Sequence, residues 1–372
     1  MRVLHCIPNM LSGGAQRQLS YLAAAQATRG WEVHVALLRG GPMLSLLQSS
    51  GALIHQLRGL GSYDPQLLWQ LVGLLRSTRP DVLQTWLVQM DVLGGMAAML
   101  SGVPWVLSER TSRENYSRPQ NCASSVKHFA RRLLGSAADA VVANSEGGKA
   151  YWADSRACRG VCVIGNIVPL VDIDQATPGG EQFDIAPGRR MVLYVGRFSP
   201  EKNLENLIRG IARVIPLVPV TAVLCGDGTH QRQVQAFIRE QGLSGQILVS
   251  GYSSNVWSLM KRADVFVTVS SFEGQPNTVL EAAACECPLV VSDIPAHREL
   301  LTAETATFVN AHHPEDIARG IRVCLADRNA AAQRAQAARR TVEAKSAKEI
   351  ARQYEEVYLR IRSAPAPLGH AA

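Results

Sequence analysis

The sequence predicts an α/β protein built from two doubly wound domains, and three observations carry that prediction. The chain has 372 residues, more than one core comfortably organises, so two domains of roughly 180 residues each are the prior. Short apolar, β-branched runs alternate with amphipathic stretches along nearly its whole length, which is the pattern of parallel sheets covered by helices on both faces. The rhythm also stops once, near residue 170, and then begins again.

In the first half, strands are predicted at Arg2–Ile7, Glu32–Leu38, Ala52–Leu57, Val82–Thr85, Trp105–Leu107 and Ala140–Val142. Helical patterns fall between them, for example Ala15–Thr28 and Pro65–Thr78. The interruption, VPLVDIDQATPGGEQFDIAPGRR, is rich in Pro, Gly and acids, lacks periodicity, and reads as a linker. The second half predicts strands at Met191–Val195, Thr221–Cys225, Ile247–Val249, Val265–Val269, Leu289–Val291 and Thr307–Val309. The expected boundaries are therefore a first domain over 1–168, a linker over 169–188 and a second domain over 189–345. An amphipathic helix follows over 346–362, expected to pack back on the first domain, and then a disordered tail over 363–372. Two such domains facing each other are expected to leave a cleft lined by the carboxyl ends of both sheets.

Composition narrows the function classes. Hydrophobic residues make up 47% and charged residues 19%, as in a folded globular protein. The net charge of +7 is concentrated in residues 1–180, which hold 16 Lys and Arg against 11 Asp and Glu. That mild excess suits phosphates or a membrane surface. It does not suggest nucleic acid, for which the sequence also lacks a motif. The eight cysteines include no CxxC pair, so free thiols in a reducing cytoplasm are expected rather than zinc. The opening MRVLHCIPNM has no signal-peptide anatomy. The apolar stretch from Val92 to Leu107 contains Gly, Ser and Pro and is too short to span a bilayer.

Several loops carry chemistry-bearing residues. Gly13 and Gly14 precede the first helix, so backbone N–H groups and the helix dipole are available to an anion. The pair does not match GxGxxG, and Arg39 stands where an NAD-binding acid is expected. This argues against a dinucleotide oxidoreductase, and the sequence contains no P-loop. In LYVGRFSPEKNLENLI, Gly196 ends a strand, and Arg197 and Lys202 flank the turn that follows. Two cations at a sheet's carboxyl edge suit a diphosphate. Gly226, Asp227 and Gly228 end the next strand, and glycines there let a ligand approach the backbone. Tyr252, just after another strand, offers a seat for a flat base.

The segment SSFEGQPNTVLEAAACECP places Glu273 and Glu281 eight residues apart. Thr278 and Glu281 fit a capping box, so helix capping competes with ligand binding at Glu281. Glu273 has no such local role. It sits in a loop whose Gly274, Gln275, Pro276 and Asn277 lead into a helix, where backbone N–H groups meet an anion. A carboxylate also accepts well from two vicinal hydroxyls, which is how acids hold riboses.

EGQPNTVLE resembles the Glu-x7-Glu motif of the retaining GT-B glycosyltransferases of family 4, whose domains are Rossmann-like. GRFSPEKNLENLI, CGDGTHQRQV and SGGAQRQLSYLA resemble other blocks of that family, in order and over about residues 1–360. The resemblance implies transfer of a sugar from a nucleotide-sugar, most often a UDP-sugar, with retention at the anomeric carbon. It implies a glycan or lipid-linked glycan acceptor, in cell-surface polysaccharide or glycolipid biosynthesis. By this likeness Arg197 and Lys202 hold the diphosphate, Glu281 the ribose and Glu273 the donor sugar's hydroxyls. Gly14 approaches the donor phosphate, and Gly13, Gly196, Gly226, Asp227, Tyr252 and the run from Gly274 to Thr278 complete the donor site.

The sequence departs from the family in two places. Where many relatives carry a histidine after the fifth strand, WVLSERTSRENY offers Glu109 and Arg110, which become catalytic candidates. Gln16 replaces a frequent glutamate. Asp172-Ile173-Asp174 has the DxD spacing of a metal-dependent transferase, but it lies in the linker and reads as coincidence, so no metal and no cofactor are expected. The helix from Ser124 to Gly135 groups Lys127, His128, Arg131 and Arg132 with apolar residues, which suits either contact with an anionic membrane on its cytoplasmic face or a surface helix with a solvated basic face. Two other readings fit the same architecture, a nucleotide-sugar epimerase and a non-catalytic nucleotide-sugar-binding protein.

Overall fold

A computed structural model of the chain describes residues 1–112, 116, 122–153, 160–183, 185–253 and 255–363. The expected tail lies outside these from 364 on. The chain divides into two compact units, Met1–Ile167 with the residues from Ala347 on, and Val168–Ser346.

The first unit holds seven strands: β1 (Arg2–Asn9), β2 (Glu32–Arg39), β3 (Leu53–Gln56), β4 (Val82–Trp86), β5 (Trp105–Glu109), β6 (Ala140–Ala143) and β7 (Val161–Val163). Their order is β3-β2-β1-β4-β5-β6-β7, with every pairing parallel. The six predicted strands are all present, and β7, three residues long, is too short to show a pattern. Interior strands such as β4 and β5 are buried along their whole length, so their polar side chains are bonded inside the fold, Gln84 Nε2 donating to Ser108 Oγ at 2.7 Å. The helix Ala347–Ser363 packs on the helix Gly14–Thr28. It sinks Ile350, Tyr354, Val357 and Tyr358 into the same core as Val3, Ile7 and Leu22. Tyr358 is wholly buried yet satisfied: its hydroxyl donates to Gln84 Oε1 and accepts from Gln26 Nε2.

The second unit holds β8 (Arg190–Val195), β9 (Val220–Cys225), β10 (Ile247–Gly251), β11 (Val265–Thr268), β12 (Leu289–Ser292) and β13 (Thr307–Val309). Their order is β10-β9-β8-β11-β12-β13, again all parallel. Alternate residues of β8 enter opposite apolar layers, Met191 and Leu193 one side, Val192 and Tyr194 the other. The helix Leu204–Val214 buries Leu204, Leu207, Ile208, Ile211 and Val214, a 3.6-residue stripe. Burying each such side chain stabilises by roughly 1.5–3 kcal/mol.

The stretch read as an aperiodic linker carries a helix, Leu170–Gln175, whose Ile173 is fully buried in the second unit's core. Lys261 Nζ donates to the carbonyls of Asp174 and Ala176, at 3.1 and 2.6 Å, and Arg339 pairs with Asp174 at 2.9 Å. Six residues are too few to display a helical period. Among the described residues no helix is long and apolar enough to cross a membrane, and the six cysteines described with their side chains are free thiols.

Candidate active site

In the second sheet the order reverses at β8. The chain runs outward through β9 and β10, then returns to β11 on β8's other side. The carboxyl ends of β8 and β11 therefore bound the crevice in which doubly wound sheets bind ligands. Loop 196–203 leaves β8, and loop 269–276 leaves β11. Asn203, in the left-handed conformation at φ 54°, fastens them by donating from Nδ2 to the carbonyls of Val269 and Ala311, at 3.3 and 2.6 Å. The Ser271 N–H donates to the Glu201 carbonyl at 2.8 Å.

Across this crevice Lys202 Nζ donates to Glu273 Oε1 at 2.5 Å, with the two side chains 19% and 14% exposed. Ser270 Oγ donates to the same oxygen at 2.7 Å. Burial pushes the Glu273 carboxyl up, but the Lys202 ammonium and the two hydrogen bonds outweigh it, and the group sits below the usual range. Ser292 Oγ donates to the Ser270 carbonyl at 2.7 Å. His297, fully buried, lies 2.8 Å through Nδ1 from the Ser292 carbonyl. Nδ1 therefore carries the proton, and burial keeps the imidazole neutral by lowering its pKa. Its Nε2 has no hydrogen-bond partner among the described residues. Ser270, Ser292 and His297 were not singled out from sequence; Ser270 shares the β11 loop with Glu273, whereas the pairing of β12 with β11 brings Ser292 and His297 behind it.

The helix Asn277–Ala284 starts directly after this loop. Its N-cap is Pro276, which supplies no side-chain cap, so Thr278 lies inside the helix and the capping box does not form. Glu281 is 3% exposed, and its Oε2 accepts from Trp257 Nε1 at 3.3 Å. Gln275 and Pro276 are buried, and Gly274, Asn277 and Thr278 half-buried.

Arg197 stands exposed at the head of the β8 loop, and Tyr252 is 50% exposed after β10. Asp227 is exposed, and its carbonyl accepts from the Phe198 N–H at 2.7 Å. The reading of the glycines beside it is corrected. At Gly226, φ +150°, a Cβ would lie 1.8 Å from the Gly196 carbonyl oxygen, and at Gly228, φ +149°, 2.4 Å from that of Phe198. What approaches these glycines closely is the chain itself, zipping the loops after β8 and β9 together.

In the first unit the order reverses between β1 and β4. Gly13 is an extended N-cap, φ −171°, and Gly14 opens the helix after β1. Gln16 Nε2 donates to Asn9 Oδ1 at 3.0 Å. Leu87, beginning the helix Leu87–Ser101 after β4, holds φ 69°, an unusual conformation for a bulky side chain.

Glu109 and Arg110, the catalytic candidates at the end of the fifth strand, both make contacts within the fold. Glu109 is 1% exposed. Its Oε1 accepts from the Arg110 and Thr111 N–H groups and the Tyr116 hydroxyl, at 2.9, 3.0 and 3.1 Å. Its Oε2 accepts from Arg131 Nη1 at 2.7 Å and Trp152 Nε1 at 2.9 Å. Arg110 lies 4.2 Å above the Trp86 ring and donates to Tyr354 and Asn166, at 2.7 and 3.2 Å. Arg131, counted with the basic helix face, is instead 2% exposed, bridging Glu109 and Asp91. Its neighbours Val126, Phe129 and Leu133 are 66%, 71% and 63% exposed.

Two parallel, doubly wound units, the second with a lysine and carboxylate facing at its switch point, fit the class of glycosyltransferases of GT-B architecture. Comparison with known proteins gives the same class: residues 12–171 match the model "Glycosyltransferase Family 4", and residues 180–341 match "Glycosyl transferases group 1". The chain is 26% identical over 333 residues to a Campylobacter jejuni enzyme. That enzyme is the N-acetylgalactosamine-N,N'-diacetylbacillosaminyl-diphospho-undecaprenol 4-alpha-N-acetylgalactosaminyltransferase, and the match covers 85% of this chain and 88% of it. It is also 26% identical to the lipopolysaccharide core biosynthesis glycosyltransferase LpsE of Rhizobium meliloti, over 85% of this chain and 86% of that protein. Among solved structures, Anabaena HepE in complex with UDP and glucose aligns with a TM-score of 0.84 at 20% identity, over 97% of this chain and 100% of that one.

Proposed function

We propose that this chain is a retaining, family 4 transferase that moves a sugar from a nucleotide-sugar, a UDP-sugar first, to a glycan or lipid-linked glycan. The observation that carries the reading is the Lys202–Glu273 contact at the switch point, with Glu281 on the helix that follows. The relatives named for diphospho-undecaprenol and lipopolysaccharide sugars support the acceptor class and a place in cell-surface polysaccharide or glycolipid synthesis. HepE, solved with UDP, supports the donor.

In this reading Lys202 and Arg197 neutralise the diphosphate, aided by the N-terminus of the helix Asn277–Ala284. Glu281 holds the ribose, Tyr252 the base, and Glu273 the sugar hydroxyls. In the first unit Gly13 and Gly14, at the start of the helix after β1, offer backbone N–H groups to an anion. The acceptor hydroxyl attacks the anomeric carbon on the face from which the diphosphate leaves with its bonding electrons, and the hydroxyl proton passes to the departing phosphate oxygen. Fixed positive charge at that oxygen stabilises the transition state more than the ground state, so the reaction proceeds without a metal. The exposed stripe Val126, Phe129 and Leu133, flanked by Lys127 and Arg132, rests on anionic membrane.

The test is a transfer assay over UDP-, GDP- and ADP-sugars with EDTA present and the product's anomeric configuration read by NMR. A UDP-sugar transferred with retention is expected. Inversion, activity that EDTA abolishes, or full turnover in both Arg197→Ala and Lys202→Ala rejects the scheme. Failure to pellet with phosphatidylglycerol vesicles at low salt rejects the membrane contact.

A further inference from the structure

We propose that the second unit carries a separate anion-binding site, at the end of its sheet opposite the candidate active site, that takes a phosphate or diphosphate group. A cavity of about 530 Å³ opens there, beside the amino ends of β8, β11 and β12, where Arg190, Asp264 and Pro288 line it. Arg189, Lys261, Arg262 and Arg328 line it too, whereas Asp264 and Glu286 are its acids. Five cations against two carboxylates leave an excess of three positive charges around one hollow.

The arrangement inside the hollow is unbalanced. Arg190, Arg328 and Arg262 approach the single Asp264 carboxylate at 3.2, 3.7 and 4.0 Å, and Asp264 also accepts from the Met191 N–H at 2.8 Å. The two longer distances exceed a hydrogen bond, so one acid does not satisfy three guanidiniums. Arg262 and Arg328 are 43% and 68% exposed and have room to turn onto a guest. The other cations are fixed in the wall. Arg189 donates to Thr221 Oγ1 at 2.9 Å and to the Val220 carbonyl, and Lys261 is held by the Asp174 and Ala176 carbonyls. The first turn of the helix Arg328–Val342 forms part of the lining, through Arg328, Ala331 and Ala332, and its N-terminus is capped by Asp327, whose Oδ1 accepts from the Ala330 N–H at 2.9 Å.

A phosphoryl group matches this site better than a carboxylate, because it brings two charges and several acceptor oxygens to planar guanidinium forks. Its source is either a free phosphate compound or an anionic lipid headgroup. The site shares no residue with the Lys202–Glu273 crevice, so the inference stands apart from the proposed reaction.

The experiment uses the full chain carrying Lys202→Ala, which weakens phosphate binding at the candidate active site. Calorimetry with inorganic pyrophosphate tests the free anion, and sedimentation with phosphatidylglycerol against phosphatidylcholine vesicles tests the headgroup. Saturable binding in either arm is expected to weaken about tenfold or more when Arg262→Ala and Arg328→Ala are added. The same pair of substitutions in the otherwise unaltered chain leaves basal transfer within about twofold and the melting profile in place. Binding absent from both arms, or unchanged by the two arginine substitutions in both, overturns the proposal.

Discussion

Lys202 and Glu273, 71 positions apart in sequence, join the loops after β8 and β11 through one hydrogen bond of 2.5 Å. The bond spans the point where the sheet's strand order reverses, so a ligand entering there meets an ammonium and a carboxylate already held in place. Ser270 and the Ser292–His297 pair fix the carboxylate from behind.

Removing the lysine exposes what it does. In Lys202→Ala, burial acts on Glu273 unopposed by its partner, and the carboxyl pKa is expected to rise above the usual value of about 4.3. In the unaltered chain it lies below that value, so the pair's stabilisation is present above about pH 4.3 and is lost as pH falls through the lower folded value. Turnover in Lys202→Ala is expected to drop about 100-fold or more. Carboxyl NMR titration and a transfer assay check the two halves.

Glu281 calls for a different probe. Glu281→Ala is expected to bind UDP about tenfold or more weakly and to lose discrimination between UDP and 2′-deoxy-UDP. Trp257→Phe, which removes the bond to Oε2, is expected to raise donor KM with little change in kcat. Calorimetry showing equal preference for UDP over its deoxy form in both chains would remove Glu281 from the ribose.

Glu109 is expected to matter for folding. Glu109→Ala strips Arg131 of one of its two buried carboxylate partners and is expected to cost about 3–5 kcal/mol. Urea unfolding at pH 7 measures it. A loss below about 1 kcal/mol would overturn that expectation.

Acid lability is expected from His5. Its Nε2–H donates to Gln26 Oε1 at 2.8 Å, and Nδ1 accepts from Trp86 Nε1 at 3.2 Å, so the ring is neutral and fully bonded. Burial lowers its pKa to about 4, against about 6.5 when unfolded. The stabilisation is therefore complete above pH 6.5 and lost as pH falls from there toward 4, at most roughly 3 kcal/mol. Denaturation midpoints at pH 7 and 5, compared with those of His5→Gln, test the slope.

The sheet strands were legible because a strand buried on both faces is mostly apolar, as β11 is from Val265 to Val267. β7 and the helix Leu170–Gln175 were too brief to announce themselves. The place of Lys202 and Glu273 beyond strand ends was legible because glycine, proline and charge mark loops there. Local spacing, however, read Thr278 and Glu281 as a capping box, where Pro276 supplies the cap position. The setting of Glu109 was not legible. Nothing near it in sequence shows that Arg131 and Trp152 claim its oxygens.

The helix Ala347–Ser363 carries a consequence for synthesis. It lays Tyr354 and Tyr358 into a core whose other buried members, apart from the same helix, lie between Val3 and Ile167. The first unit's sheet therefore waits, uncovered along one side, while the whole of the second unit is translated. A nonsense codon just after the second unit would spare that unit, yet leave the first one a client for chaperones and proteases.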